Sequence, residues 1–225
     1  MYFFSFSQVE KNFDIISIGI NSSTIDLEKE IKHFINNDST IKNIKALEIS
    51  GDFIRIPDCV YKFYWIEELI INSTKPIVIN MSISKFTNLE HFKILSEMKC
   101  ISDEISLKKL KRIDFDYYRS CVFPNFIILQ KELEYLKIEN SGIKKIPKKI
   151  INCKNLKTII LHNSKIKKFP NSFYQLNNLE VIGICSTHIK INFSKLFKMK
   201  NLKKVYLDKD PKIINISNIK FYYCD

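Results

Sequence analysis

Residues 133–155 read LEYLKIENSGIKKIPKKIINCKN, residues 156–178 read LKTIILHNSKIKKFPNSFYQLNN, and residues 179–201 read LEVIGICSTHIKINFSKLFKMKN. Leu133, Leu156, Leu179 and Leu202 stand 23 residues apart, and Leu110 lies another 23 residues back. From Leu133 the apolar positions are Leu136, Ile138, Ile143, Ile146, Ile150 and Cys153; from Leu156 they are Ile159, Leu161, Ile166, Phe169, Phe173 and Leu176. The unit at Leu179 keeps Ile182, Ile184 and Ile189, then matches more weakly through Phe193, Leu196 and Met199. Pro124, Pro147 and Pro170 follow the fifth apolar column. The second and third apolar residues alternate, so with the leading Leu they share one face of a short strand. The later columns fold a return segment over that face. A single unit cannot bury both sides of such a core, so neighbours must stack and share it.

The pattern L-x-x-L-x-L-x-x-S-x-I-x-x-I/F-P-x-x-I/F-x-x-L resembles the leucine-rich repeat, in its 23-residue intracellular form with an "LP" step, and is similar to the units of Ras-associated leucine-rich-repeat proteins. The resemblance extends to earlier, degenerate units opened by Leu89-Phe92-Ile94, Ile66-Leu69-Ile71 and Ile44-Leu47-Ile49, the last with Ile56-Pro57 echoing the LP step. Phe13, Ile16 and Ile18 supply a first strand. It implies an α/β solenoid of about nine strands, a curved parallel sheet on the concave side and short helical or irregular convex segments, spanning residues 13–207. We divide it into an N-terminal strand and capping helix (1–43), the repeats (44–201), and a last repeat strand with a C-terminal cap (202–225). The cap helix is read from Leu27, Ile31, Phe34 and Ile35 at helical spacing within Asp26–Asn36. Asn218 to Cys224, with Ile219, Phe221, Tyr222 and Tyr223, read as a closing strand or docked tail.

In the family the column eight residues after the leading Leu is usually Asn, which bonds the adjacent loop. Here it holds Asn21, Asp52, Thr74, Glu97, Tyr118, Ser141, Ser164, Thr187 and Asp210. Ser, Thr and Asp can make a shorter version of that bond; Glu97 and Tyr118 depart further, which marks the middle repeats as irregular.

Composition narrows the function. Gly numbers only four, which argues against hairpin-rich folds. Ile, Lys and Asn are in excess, as in an AT-rich genome such as that of a giant virus, a protist or a low-GC bacterium. Met1–Phe6 is too short for a signal core, and no run is long and apolar enough for a membrane helix. Cys59, Cys100, Cys121, Cys153, Cys185 and Cys224 form no CxxC pair, so no zinc signature exists and reduced, cytoplasmic thiols are expected. Cys100 and Cys121 share a column and are expected as neighbouring buried thiols.

The family uses its concave face, so the resemblance implies a protein-binding surface at His91, Lys93, Arg112, Asp114, Asp116, Tyr135, Lys137, Glu139, Thr158, Ile160, His162, Val181, Cys185 and Tyr206. Its middle is charged with both signs; its C-terminal part is more apolar. Residues 1–112 carry 15 basic and 15 acidic side chains, whereas residues 113–225 carry 21 and 9. Lys144, Lys145, Lys167, Lys168 and Lys190 stack in shared columns, a candidate anion-binding ridge. Exposed variable columns filled with Lys by an AT-rich genome are the plainer reading of the ridge, and among ligands an acidic protein comes first. Arg is scarce and no nucleic-acid motif occurs, which weighs against nucleic acid and, with no membrane segment, leaves both it and anionic membrane as the alternative. Asp114 and Asp116 with His91 offer a metal or acid–base trio, but an open sheet face lacks an enclosed pocket or activated nucleophile. We therefore expect a monomeric, non-enzymatic interaction module without cofactor or metal.

Overall fold

In a computed structural model, described over residues 15–20, 36, 39–208 and 219–224, parallel strands follow one another in chain order. They are β1 Ile15–Ile20, β2 Ala46–Gly51, β3 Glu68–Ser73, β4 Ile77–Ile79, β5 His91–Ile101, β6 Arg112–Tyr118, β7 Tyr135–Ile138, β8 Thr158–Ile160, β9 Val181–Gly183, β10 Lys204–Asp208 and β11 Lys220–Cys224. The sheet order is β1-β2-β3-β5-β6-β7-β8-β9-β10-β11, with β4 set beside β5. Nine of these strands open the nine sequence units. β11 is the closing strand expected near the end, and β4 is additional. The capping helix expected over 26–36 lies, save for Asn36, outside the described residues.

Each strand joins the next in unshifted register at the column following the leading Leu. Leu136 opposes Ile113 and Ile159, and Ile159 opposes Ile182. The backbone ladder continues below the strands: the N–H groups of Lys157 and Thr158 both donate to the Glu134 carbonyl, at 2.8 and 3.0 Å. The same forked bond recurs from Glu180 and Val181 to Lys157 and from Lys203 and Lys204 to Glu180. Stacked units thus place equivalent residues about 5 Å apart.

The convex side is made of single 3-10 turns, at Asp58–Lys62, Met81–Lys85, Asn125–Leu129, Lys148–Asn152 and Asn171–Gln175 among others. Pro57, Pro124, Pro147 and Pro170 precede four of them with φ between −61° and −67°. The ring fixes that angle, and the missing N–H costs nothing where no partner is due. Each Pro carbonyl accepts the first turn bond, from Val60, Ile127, Ile150 and Phe173. Where the Pro is absent an Asn side chain substitutes. Asn80 Oδ1 accepts from the Ser82 N–H, and Asn192 Oδ1 accepts from Lys195 at the head of the short helix Phe193–Leu196.

The core is one continuous strip. Every apolar column read from the regular units is buried, including Leu136, Ile138, Ile143, Ile150, Cys153, Leu156, Ile159, Leu161, Ile166 and Phe173 at 0 % exposure. Phe169 and Phe173 stack at 3.9 Å, and burial pushes the Cys153 thiol up to about 12, so it packs as an inert apolar group.

The middle repeats depart from this pattern. β5 runs 11 residues, with a bulge after Ile94, and its second half pairs with β4 through Met98, Cys100 and Ile101. This extension occupies the place of the ordinary loop. Glu97 there forms an ion pair with Arg119 at 2.8 Å, and Tyr118 turns into the core. Two cysteine expectations are corrected. Cys100, on the extended outer half of β5, and Cys121, in the segment after β6, are exposed thiols and not buried neighbours. Cys185 and Cys224 form a disulfide, their Cα atoms 5.9 Å apart, where the expectation was reduced thiols throughout; the final strand brings Cys224 back to the last regular repeat.

The column structure sets stability. Ile159→Ala is expected to cost about 2–5 kcal/mol by emptying fully buried volume. Lys167→Ala, on an exposed column, is expected to stay within about 0.5 kcal/mol. Urea unfolding of the two variants measures the difference, and similar losses would contradict the register.

Candidate interaction surface

The strands present two rows and a margin to the concave side. The first row runs Glu68, His91, Arg112, Tyr135, Thr158, Val181, Lys204 and Lys220; the second runs Ile70, Lys93, Asp114, Lys137, Ile160, Gly183, Tyr206 and Tyr222. Asp116, Glu139, His162 and Cys185 follow at the strand ends.

In the middle of the sheet these side chains satisfy one another. Lys137 Nζ lies 2.7 Å from Asp116, 3.1 Å from Glu139 and 3.2 Å from Asp114. Arg112 Nη2 lies 3.1 Å from the other Asp114 oxygen, and its guanidinium stacks 3.7 Å over the Tyr135 ring. Asp114 is 5 % exposed. Its Oδ1 has no aligned hydrogen bond, so the nearby Lys137 charge is what compensates it. Burial alone would pull the Lys137 ammonium down; bonds to Asp116 and Glu139 and the charges of Asp114 and Glu139 outweigh it and raise it well above its ordinary range. His91 stands beside Arg112 and over a shallow depression of about 300 Å³ that Asp114 also lines. The supposed trio is therefore spread around cations, and no metal-holding cluster exists among the described residues.

Toward the C-terminal end the surface changes character. Thr158, Ile160, Val181 and Tyr206 are half-buried, and Tyr206 stacks on Tyr222 at 4.8 Å. Gly183 makes this floor close-packed: a Cβ there would meet Ile160 Cδ1 at 2.7 Å and the His162 ring at 2.8 Å. His162 Nδ1 accepts the Cys185 N–H at 2.8 Å, so the ring is held neutral, and burial pushes it below the ordinary imidazole range. Cys185 is itself buried and disulfide-bonded, so it belongs to the floor.

Two ladders bound the face. One strand-entry column alternates in sign: Glu90 with Lys111, Glu134 with Lys157 and Glu180 with Lys203 each meet at 2.7 Å. A second, unread in the sequence, consists of Asn155, Asn178 and Asn201. Their Nδ2 groups donate to the carbonyls of Lys131, Lys154 and Asn177, all 24 residues earlier. The signal was present as Asn immediately before Leu156, Leu179 and Leu202. The family's own Asn column behaves differently. Thr74 and Thr187 make side-chain bonds, whereas Ser141 Oγ and Ser164 Oγ are buried without partners. Asn140 and Asn163, one position earlier, take left-handed φ of 46° and 49°, which Asn tolerates, and bond across the units. The ridge residues Lys144, Lys145, Lys167, Lys168 and Lys190 are all exposed.

A family model for the leucine rich repeat matches residues 131–189. No curated protein sequence matches the chain. Among solved structures, the Drosophila Toll–Spätzle complex aligns at TM-score 0.60 and 13% identity over 88% of this chain and 31% of that one. The plant peptide hormone receptor RGFR1 in complex with RGF2 aligns at 0.57 and 19% over 85% and 30%. The leucine-rich repeat domain of the type III effector XCV3220 (XopL) aligns at 0.54 and 14% over 84% and 75%. The chain thus spans under a third of the length of the first two of these chains.

Two outcomes test the surface. Lys137→Met leaves three carboxylates without their common cation and is expected to cost about 2–3 kcal/mol, the fully buried figure reduced for solvent screening. Lys157→Met, at an exposed pair, is expected to cost at most about 1 kcal/mol by the same urea titration. For His162, the lowered folded pKa means that the neutral ring stabilises the fold above the ordinary value of 6.5, and that this contribution is lost as pH falls through the folded value. The stability gap between wild type and His162→Gln should therefore narrow from pH 7 to pH 5; a gap independent of pH would contradict the bond to Cys185. Register, packing and these structural alignments together give the chain the fold of a curved leucine-rich-repeat solenoid, whose residues 131–189 match the family model.

Proposed function

We infer that the chain is a protein-interaction module that receives a partner on the C-terminal half of its concave face. The observation that carries this is the division of the sheet. The charged middle, around Lys137, is already paired within the chain, so a partner would have to break ion pairs to use it. Ile160, Val181 and Tyr206 form an apolar strip with polar residues at its margins, the composition of an interface centre. A rigid, close-packed floor also loses little entropy on binding. The fold supports the kind of partner. Two of the aligned structures are complexes, of Toll with Spätzle and of RGFR1 with RGF2. An open apolar strip flanked by the stacked Tyr206 and Tyr222 suits a protein or peptide segment better than a small metabolite.

Affinity capture from a lysate of the native source, at low and high salt, compares wild type with the double variant Ile160→Glu/Tyr206→Glu. The expected outcome is a protein that survives high salt on wild type and is lost from the variant. Retention on both, or release from both by salt, would contradict the concave assignment.

A further inference from the structure

Residues 140–207 contain 15 lysines, no arginine and one acidic residue, Glu180. That glutamate is engaged by Lys203 at 2.7 Å on the strand-entry side. Lys157, on the same side, is engaged by Glu134. On the opposite side, where the chain leaves the strands and crosses to the convex turns, none of Lys144, Lys145, Lys167, Lys168 and Lys190 makes an ion pair among the described residues. The columns are held together by backbone. The Lys190 N–H donates to the Lys167 carbonyl at 2.8 Å, and Ser172 Oγ donates to the Lys148 carbonyl at 2.7 Å. Lysines of adjacent repeats therefore sit at about the spacing of neighbouring strands, too close to be neutral toward each other without a counter-charge.

Genome bias does not explain this. A codon bias acts on the whole chain alike, yet residues 1–112 of the same chain balance 15 bases with 15 acids. This region is set apart both by denser lysine and by the loss of acids.

We propose that this lysine field binds the phosphate backbone of a nucleic-acid duplex, without reading sequence. The surface offers cationic and amide donors, Lys with exposed Asn163, Asn171 and Asn192 between, matched to an acceptor-only polyanion. It lacks what the other polyanion partners use. Phe197 is the one large apolar residue classed as exposed over 140–207, and its ring packs edge-on against Phe221. A protein interface needs an apolar centre, and stable membrane docking needs a buried apolar anchor besides basic charge. The absence of arginine forks and stacking aromatics removes base readout and single-strand stacking, and leaves backbone contact intact. The field lies off the concave sheet, so this binding is independent of the concave partner.

The test is fluorescence anisotropy of labelled 24-base-pair DNA and RNA duplexes of mixed sequence, titrated with the full chain between about 50 and 200 mM salt. Poly-glutamate and phosphatidylserine vesicles serve as competitors. Binding to a duplex should weaken linearly in log–log form with salt. Lys144→Glu/Lys145→Glu/Lys167→Glu/Lys168→Glu should lose about tenfold or more in affinity and flatten the slope. Ile160→Glu/Tyr206→Glu should bind as wild type, which separates failure here from failure of the concave reading. If the charge-reversed variant does not fold by circular dichroism, the four Lys→Gln changes replace it, with a smaller loss expected. No duplex binding at 50 mM salt, an unaltered affinity in the folded variant, or stronger competition by poly-glutamate or vesicles than by unlabelled duplex would overturn the proposal.

Discussion

Register between repeats is the constraint on which the rest depends. Each unit donates two backbone N–H groups to one carbonyl of the unit before it, and this forked bond recurs from Glu67 and Glu68 through Lys203 and Lys204. Once it is fixed, every side chain has the same-column residue of the adjacent unit as its neighbour. Leu and Ile columns fuse into one core. A column of alternating sign becomes a row of ion pairs, and a column of lysines becomes an uncompensated cationic ridge.

The same rule explains the two characters of the concave sheet. In the middle, opposite charges fall in adjacent columns and rows, so Lys137 meets Asp114, Asp116 and Glu139 at once. Such a cluster is costly to open, because removing one member strands the others in a partly dry setting. From β8 onward this row turns to Ile160, Gly183 and Tyr206, which pack on one another and on Tyr222 and make no ion pair among the described residues. Rigidity is shared by both halves; availability belongs to the second.

The columns were legible in the sequence because burial follows period alone. All six apolar positions read from Leu156 are in the core. The concave rows were legible for the same reason. Their chemistry was not. Whether Asp114 is free or clamped depends on what Arg112 and Lys137 do, and whether Cys185 is open depends on a strand 39 residues away in sequence. The extended β5 was hidden too, since its outer half pairs with a short strand that breaks the repeat. The Asn column before each leading Leu stands nine residues ahead of the family's usual Asn position, so the resemblance did not mark it.

Lysine footprinting tests the central claim most directly, since one amine-acylating reagent reports on both halves of the charge pattern. Native protein is labelled briefly and the rate at each lysine is read by mass spectrometry. Lys137 should be among the slowest to react, held by three carboxylates, while Lys144, Lys145, Lys167, Lys168 and Lys190 should react at the rate of free surface amines. A Lys137 that labels as fast as Lys167 would contradict the clamped middle. Slow labelling across the five would contradict the open lysine field.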